Sequence, residues 1–168
     1  MKLEIGAGDS RRPGYVHTDL NLIPNHHVEI VCQGEFLPFS DGSFDEVYMQ
    51  GVFEHFGYHD ANRLLIECHR VLQPNGVIDF TTPDLYAVCR IIVEDRLPFI
   101  DSYHKRPPLD YALSCLYGGQ DRPGQIHKWG WTKERITEKV AEYGFRVLSI
   151  ANDTYEPNTH LHVIAVRV

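Results

Sequence analysis

The chain has 168 residues and a formal charge of −7, which is one domain's worth, long enough to bury roughly 70% of the surface its unfolded form exposes. Hydrophobic residues make up 43% and charged residues 23%, near the globular average, and no apolar run approaches the roughly 20 residues needed to cross a bilayer. The negative charge argues against general nucleic-acid binding, although the short pairs Arg11-Arg12 and Lys105-Arg106 leave a specific RNA substrate open. Met1 does not open a leader pattern. Cys32, Cys68, Cys89 and Cys115 lack the paired spacings of zinc sites or disulfide frameworks and read as reduced thiols. The expectation is a cytoplasmic protein without a membrane segment.

In chain order, strands are predicted at Lys2 to Gly6, Tyr15 to Asp19, Val28 to Cys32, Glu46 to Met49 and Val77 to Thr81. A helix from His59 to Leu72 separates the last two, with Ala61, Leu64, Leu65, Cys68 and Leu72 at helical spacing and Pro74-Asn75-Gly76 as its stop. Strand, helix, strand in that order implies parallel pairing. Asp84 is the expected N-cap of a second helix over Leu85 to Glu94. Residues 97–131, with Pro98, Pro107, Pro108 and Gly118-Gly119, interrupt the alternation and read as an irregular lid or substrate segment. Thr132 caps a third helix through Tyr143, Gly144 ends it, and Phe145 to Ile150 and His160 to Val168 complete seven strands. The fold class is therefore α/β. Residues 1–168 form a single domain built on a doubly wound, mostly parallel seven-stranded sheet with a terminal antiparallel strand.

The most informative residues are Leu3-Glu4-Ile5-Gly6-Ala7-Gly8, followed by Asp19 at the end of the next strand. A glycine turn after an apolar strand, with a carboxylate one strand on, is how α/β folds bind a ribose-bearing cofactor. A dinucleotide site needs a glycine or alanine at the sixth motif position, opening a helix that holds the pyrophosphate. Here that position is Arg11, and Pro13-Gly14 leave little room for a helix. S-adenosylmethionine carries no phosphate and needs only close backbone approach plus a carboxylate for its ribose hydroxyls. It is the cofactor these residues favour over a nicotinamide dinucleotide.

Three further stretches sharpen this reading. Leu37-Pro38-Phe39-Ser40-Asp41-Gly42-Ser43-Phe44-Asp45, Val52-Phe53-Glu54-His55 and His69-Arg70-Val71-Leu72-Gln73-Pro74-Asn75-Gly76 together resemble the class I S-adenosylmethionine-dependent methyltransferases. Tyr117-Gly118-Gly119-Gln120 and His127-Lys128-Trp129-Gly130-Trp131-Thr132 resemble a minimal group of them with a shortened first helix. The resemblance implies that Glu4, Gly6, Ala7 and Gly8 form the first cofactor motif and that Asp19, with Leu20 beside it, binds the ribose. Gln33, Gly34 and Glu35 stand where the family often has an Asp-Ala pair at the adenine. Gln50 and Gly51 fall where the fourth strand ends beneath the cofactor.

Methyl transfer from a sulfonium is an in-line displacement, so the protein must align the acceptor and exclude water. His55, next to Glu54 and just after the fourth strand, is the first candidate for a base or substrate contact. Thr82 and Asp84 are expected at the same crevice. His127 is the second catalytic candidate, in a pocket shared with Tyr117 and Gln120. Trp129 and Trp131 suit either ring stacking or packing of the third helix. Phe39, Phe44 and Phe53 read as core, and Arg70 as an exposed helix end. His26-His27 and His160-Leu161-His162 invite a metal, yet no ligand-type spacing supports one, so no metal is expected. The expected function is methyl transfer to a small-molecule, sugar or protein acceptor. The alternative is a degenerate fold serving as a cofactor-binding or partner module, and a homo-oligomer or partner completing the cleft stays open.

Overall fold

The structure is a computed structural model that describes residues 1–9, 12–21, 28–94, 107–120, 124–152 and 159–168. Its strands are β1 (Lys2–Ile5), β2 (Tyr15–Asp19), β3 (Ile30–Val31), β4 (Phe44–Gln50), β5 (Leu72–Pro83), β6 (Phe145–Asn152) and β7 (His160–Arg167), and its helices are α1 (Asp60–Val71), α2 (Leu85–Glu94), α3 (Pro108–Tyr117) and α4 (Lys133–Glu142). A 3₁₀ turn covers Phe53–His55. The seven strands lie in the order β3-β2-β1-β4-β5-β7-β6. Pairing is parallel from β3 to β5, and β7 runs antiparallel to both β5 and β6. The mostly parallel sheet with one antiparallel strand agrees with the sequence reading.

Alternation within the strands sorts the two faces. Leu3 and Ile5, Val47 and Met49, Ile78 and Phe80, and Leu161, Val163 and Ala165 enter one core. Against it α1 lays Ala61, Leu64, Leu65, Cys68 and Val71, a stripe at helical spacing, and α4 adds Ile136 and Val140. Thr132 caps α4 as its sequence position predicts, its hydroxyl accepting from the Arg135 N–H at 3.3 Å. The buried Lys139 amine joins the two helices by donating to Asn62 Oδ1 at 2.9 Å while sitting 3.9 Å from the centre of the Tyr58 ring. On the opposite face the residues between are polar and paired: Lys2 with Glu46 at 2.7 Å, His17 with Glu4 at 3.3 Å and His162 with Asp79 at 2.7 Å.

Several elements differ from expectation for physical reasons. Residues 97–131 were expected to be irregular, yet they contain α3. Pro108 begins that helix in its first turn and Gly118, at φ +75°, ends it, so residues that look like breakers act as boundaries. Its Tyr111, Ala112 and Cys115 pack with Val88 and Ile91 of α2 in a second, smaller cluster. β5 starts at Leu72 rather than Val77, and Asn75 at φ +63° makes the expected turn within the strand. β3 keeps only Ile30 and Val31 of the predicted Val28 to Cys32. Between β1 and β2 no helix occurs among the described residues.

Arg70 is not the exposed helix end its position suggests. It donates to Glu67 Oε1 at 2.7 Å and Oε2 at 2.8 Å, to the carbonyls of Phe39 at 2.7 Å and Leu37 at 2.9 Å, and to Asp41 at 2.8 Å. Glu67 in turn accepts from the Leu37 N–H at 2.8 Å. One guanidinium thus clamps the Leu-Pro-Phe loop onto α1, and the paired carboxylates hold its pKa above the usual arginine range. Replacing Arg70 by Met is expected to lower unfolding stability by about 2 kcal/mol in total, since one charge-assisted bond contributes roughly that, solvent screening at this part-exposed site keeps the five from adding, and the loop carbonyls lose their donors. Urea denaturation checks it, with Arg63→Met as control; Arg63 pairs with Asp60 at 3.6 Å on the surface, and its loss should shift stability by under about 0.5 kcal/mol.

Candidate functional site

β1 and β4 are parallel neighbours, and each ends in a left-handed glycine, Gly6 at φ +68° and Gly51 at φ +62°. Their outgoing chains turn to opposite sides of the sheet order, which opens a crevice at the carboxyl ends of the strands. A Cβ at Gly6 would lie 2.5 Å from Val52 Cγ2, so the two turns touch. A Cβ at Gly8, by contrast, would meet nothing within 4 Å: this backbone borders open space.

Asp19 ties the turn together. Its Oδ2 accepts from the Gly8 N–H at 2.9 Å and its Oδ1 from the Asn21 N–H at 3.0 Å. Each carboxylate oxygen has two lone pairs, so both retain capacity for a ligand hydroxyl. Ala7 is fixed by its N–H on the Thr18 carbonyl at 2.9 Å. Glu4 is buried, with its carboxylate on His17, and braces β1 against β2. Leu20 is exposed, and a Cβ built on Gly124 would lie 3.5 Å from its side chain, so the segment after α3 returns near the crevice. Gln33 opens a turn whose carbonyl accepts from the Phe36 N–H at 3.0 Å. Gly34 is buried where a Cβ would press on Leu64, Phe56 and Ile5, and Glu35 beside it is half-buried. Gln50 is exposed, and its Oε1 accepts from the Tyr48 hydroxyl at 3.2 Å. Phe36, 62% exposed beside this turn, was missed in the sequence, where it looks like one more core aromatic.

Across from the glycines, the 3₁₀ turn sets Phe53 into the core against Phe80 and Trp131 and leaves Glu54 and His55 at its end. The Glu54 carbonyl accepts from the N–H groups of Lys128 at 2.8 Å and Trp129 at 3.3 Å. That contact carries His127 to His55, their rings 4.7 Å apart and edge to face. His55 Nδ1 sits on the Ile126 carbonyl at 3.2 Å and His127 Nδ1 on the Cys115 carbonyl at 2.8 Å. Glu54 Oε1 lies 3.9 Å from His127 Nε2. Burial lowers the pKa of both imidazoles, against an opposing pull from these carbonyls. Burial also pushes the Glu54 carboxyl up to about 7. Thr82 is close enough to pull it the other way, yet neither Glu54 Oε2 nor Thr82 Oγ1 makes a hydrogen bond of ordinary geometry.

The two catalytic candidates are thus brought together, and Asp84 takes the capping role its position predicts. Asp84 is engaged as the cap of α2, accepting from the Tyr86 N–H at 3.1 Å and from Asn152 at 3.2 Å. Trp131 is core, whereas Trp129 is half exposed in a separate pocket of about 630 Å³ that Tyr58, Leu85, Arg135 and Glu138 also line. His160 and His162 are engaged with Thr159 and Asp79. His26-His27 lie outside the described residues. The importance of Glu54 went unread; the signal for it is a carboxylate placed between Val52-Phe53 and a histidine.

Residues 13–80 match the family model described as a methyltransferase domain. The S-adenosylmethionine-dependent methyltransferase of Mesorhizobium loti superposes over 99% of this chain and 90% of its own at TM-score 0.64 and 15% identity. The fold is that of S-adenosylmethionine-dependent methyltransferases. The chain also superposes, at TM-score 0.65 and 15% identity over 99% of its length and 70% of the other, on Burkholderia thailandensis 1,6-didemethyltoxoflavin-N1-methyltransferase with bound 1,6-didemethyltoxoflavin and S-adenosylhomocysteine. A glycine/sarcosine/dimethylglycine N-methyltransferase from Actinopolyspora halophila is 42% identical over 59 residues, which span 34% of this chain and 10% of that relative.

If the Gly6 contact fixes the crevice, Gly6→Ala should destabilise the protein by about 2–4 kcal/mol, through the left-handed φ and the Val52 clash together. Adding Val52→Ala should recover part of the loss but not all of it, because only the clash is relieved. Chemical denaturation of the single and double variants checks this; full recovery would mean that the backbone angle carries no strain.

Proposed function

We propose that this chain is an S-adenosylmethionine-dependent methyltransferase that uses the crevice at the ends of β1 and β4. The observation that carries the reading is the Asp19 carboxylate, braced on Gly8 with lone pairs to spare, beside backbone that borders open space. Such a cradle suits a ribose and a methionine moiety, and among the described residues it has no helix start of the kind a pyrophosphate needs. In this reading Gly6, Ala7 and Gly8 pass along the methionine part, Asp19 receives the ribose hydroxyls, and Leu20, Gln33, Gly34 and Glu35 border the adenine. Gln50 and Gly51 floor the crevice. When bound, the cofactor supplies a methyl group activated on a sulfonium.

The chain's own part is to hold the acceptor opposite that group. His55 and His127 present Nε2 once Nδ1 is committed to a carbonyl, so each can take a proton from, or hydrogen-bond to, an acceptor. The segment from Gly124 to Trp131 excludes water from the same side through its bonds to the Glu54 carbonyl. Acceptors of the small-molecule, sugar or protein classes fit a site of this polarity.

Calorimetric titration with S-adenosylmethionine and S-adenosylhomocysteine tests the proposal. One saturable site is expected, weakened roughly 10- to 100-fold in Asp19→Ala, the loss of a charge-assisted pair of hydrogen bonds. A nicotinamide dinucleotide should not compete. Absence of binding by either sulfur nucleoside would turn the reading to a partner module on a degenerate methyltransferase fold.

A further inference from the structure

The acceptor side holds a second constellation. One ligand atom each from Glu54, His55 and His127 lies within 4.8 Å of the others. The three come from two segments far apart in sequence, joined by the Lys128 and Trp129 bonds to the Glu54 carbonyl. Both rings have Nδ1 on a backbone carbonyl, the arrangement that leaves Nε2 as the lone-pair nitrogen and fixes ring orientation in metal sites. Glu54 is 3% exposed, and its Oε2 has no hydrogen-bond partner. A buried carboxylate oxygen without a partner is costly unless something satisfies it.

From this geometry we infer that Glu54, His55 and His127 bind a divalent first-row transition ion, zinc or a metal of similar preference. Two imidazoles and a carboxylate are a donor set such ions accept, with further positions open to water or substrate. An ion with bonds of ~2.1 Å separates its ligands by about 3.4 Å. The 3.9 Å between Glu54 Oε1 and His127 Nε2 therefore needs to close by about half an ångström, and separations within the cluster, all within 4.8 Å, by at most about 1.4 Å, which side-chain torsions supply. The ion would compensate the charge of the buried Glu54 carboxylate and tie the segment after α3 to the 3₁₀ turn. Gly51 adjoins it, a Cβ there lying 3.6 Å from Glu54 Oε1, so the open positions face the floor of the crevice. Resting on the methyltransferase reading for this placement alone, the inference adds that an acceptor carrying a ligand atom for the ion would be oriented at this site. Among the other histidines, His162 is spoken for by Asp79.

The test uses untagged full-length protein, stripped with chelator and titrated with Co²⁺ by absorption and with Zn²⁺ by calorimetry. One equivalent should bind, with the visible bands of four- or five-coordinate Co²⁺. Glu54→Gln, His55→Ala and His127→Ala should each weaken affinity at least tenfold, while Asp19→Ala and His162→Ala leave it unchanged; circular dichroism verifies that each variant folds. Equal affinity in His127→Ala, or no stoichiometric binding to wild type, overturns the site. S-adenosylhomocysteine titration of the same samples separates the two proposals. Nucleoside binding without metal overturns this inference alone, and metal binding without nucleoside upholds it while the methyltransferase reading fails.

Discussion

The contact of Gly6 with Val52 is the constraint on which the crevice depends. β1 and β4 lie side by side, and the chain leaving each must turn away within a residue or two to open space between them. Both turns use glycine at positive φ, and the first passes so near Val52 that a methyl group would not fit. Because the turns touch, the two sides of the crevice are built against each other. A shift of one moves the other.

Around that contact the chain uses backbone carbonyls as anchors. Arg70 clamps the carbonyls of Leu37 and Phe39 and so holds the loop leading into β4. The Glu54 carbonyl receives Lys128 and Trp129, and those of Ile126 and Cys115 orient the two histidines. With no helix between β1 and β2 among the described residues, the turn relies on Asp19 and on Arg12, whose guanidinium lies 3.7 Å from the centre of the Tyr48 ring. Asp19 therefore combines two tasks in one side chain, bracing the turn and offering lone pairs to a ligand.

What was legible in the sequence followed from periodicity and turn chemistry. The stripe Ala61, Leu64, Leu65, Cys68 fixed α1, Thr132 announced α4, and alternation in His160 to Val168 marked β7. The glycine pair and Asp19 located the crevice because their chemistry is local. Arg70 was misread because its partners, Leu37 and Phe39, are about thirty residues away and offer only carbonyls, which carry no side-chain signature. α3 was hidden by prolines that bound a helix instead of breaking one. Glu54 was passed over for a similar reason: its significance comes from burial and from His127, and sequence spacing encodes neither.

The most direct test of the whole account is a backbone amide map by NMR during titration with S-adenosylhomocysteine. The account predicts that the largest shifts fall on Gly6 to Gly8, Asp19 and Leu20, Gln33 to Glu35, and Gln50 and Gly51, with smaller ones at Glu54 and His55 and none along the polar sheet face at Tyr15 and Glu46. Shifts centred on the Tyr58 and Trp129 pocket, or spread over that sheet face, would contradict it.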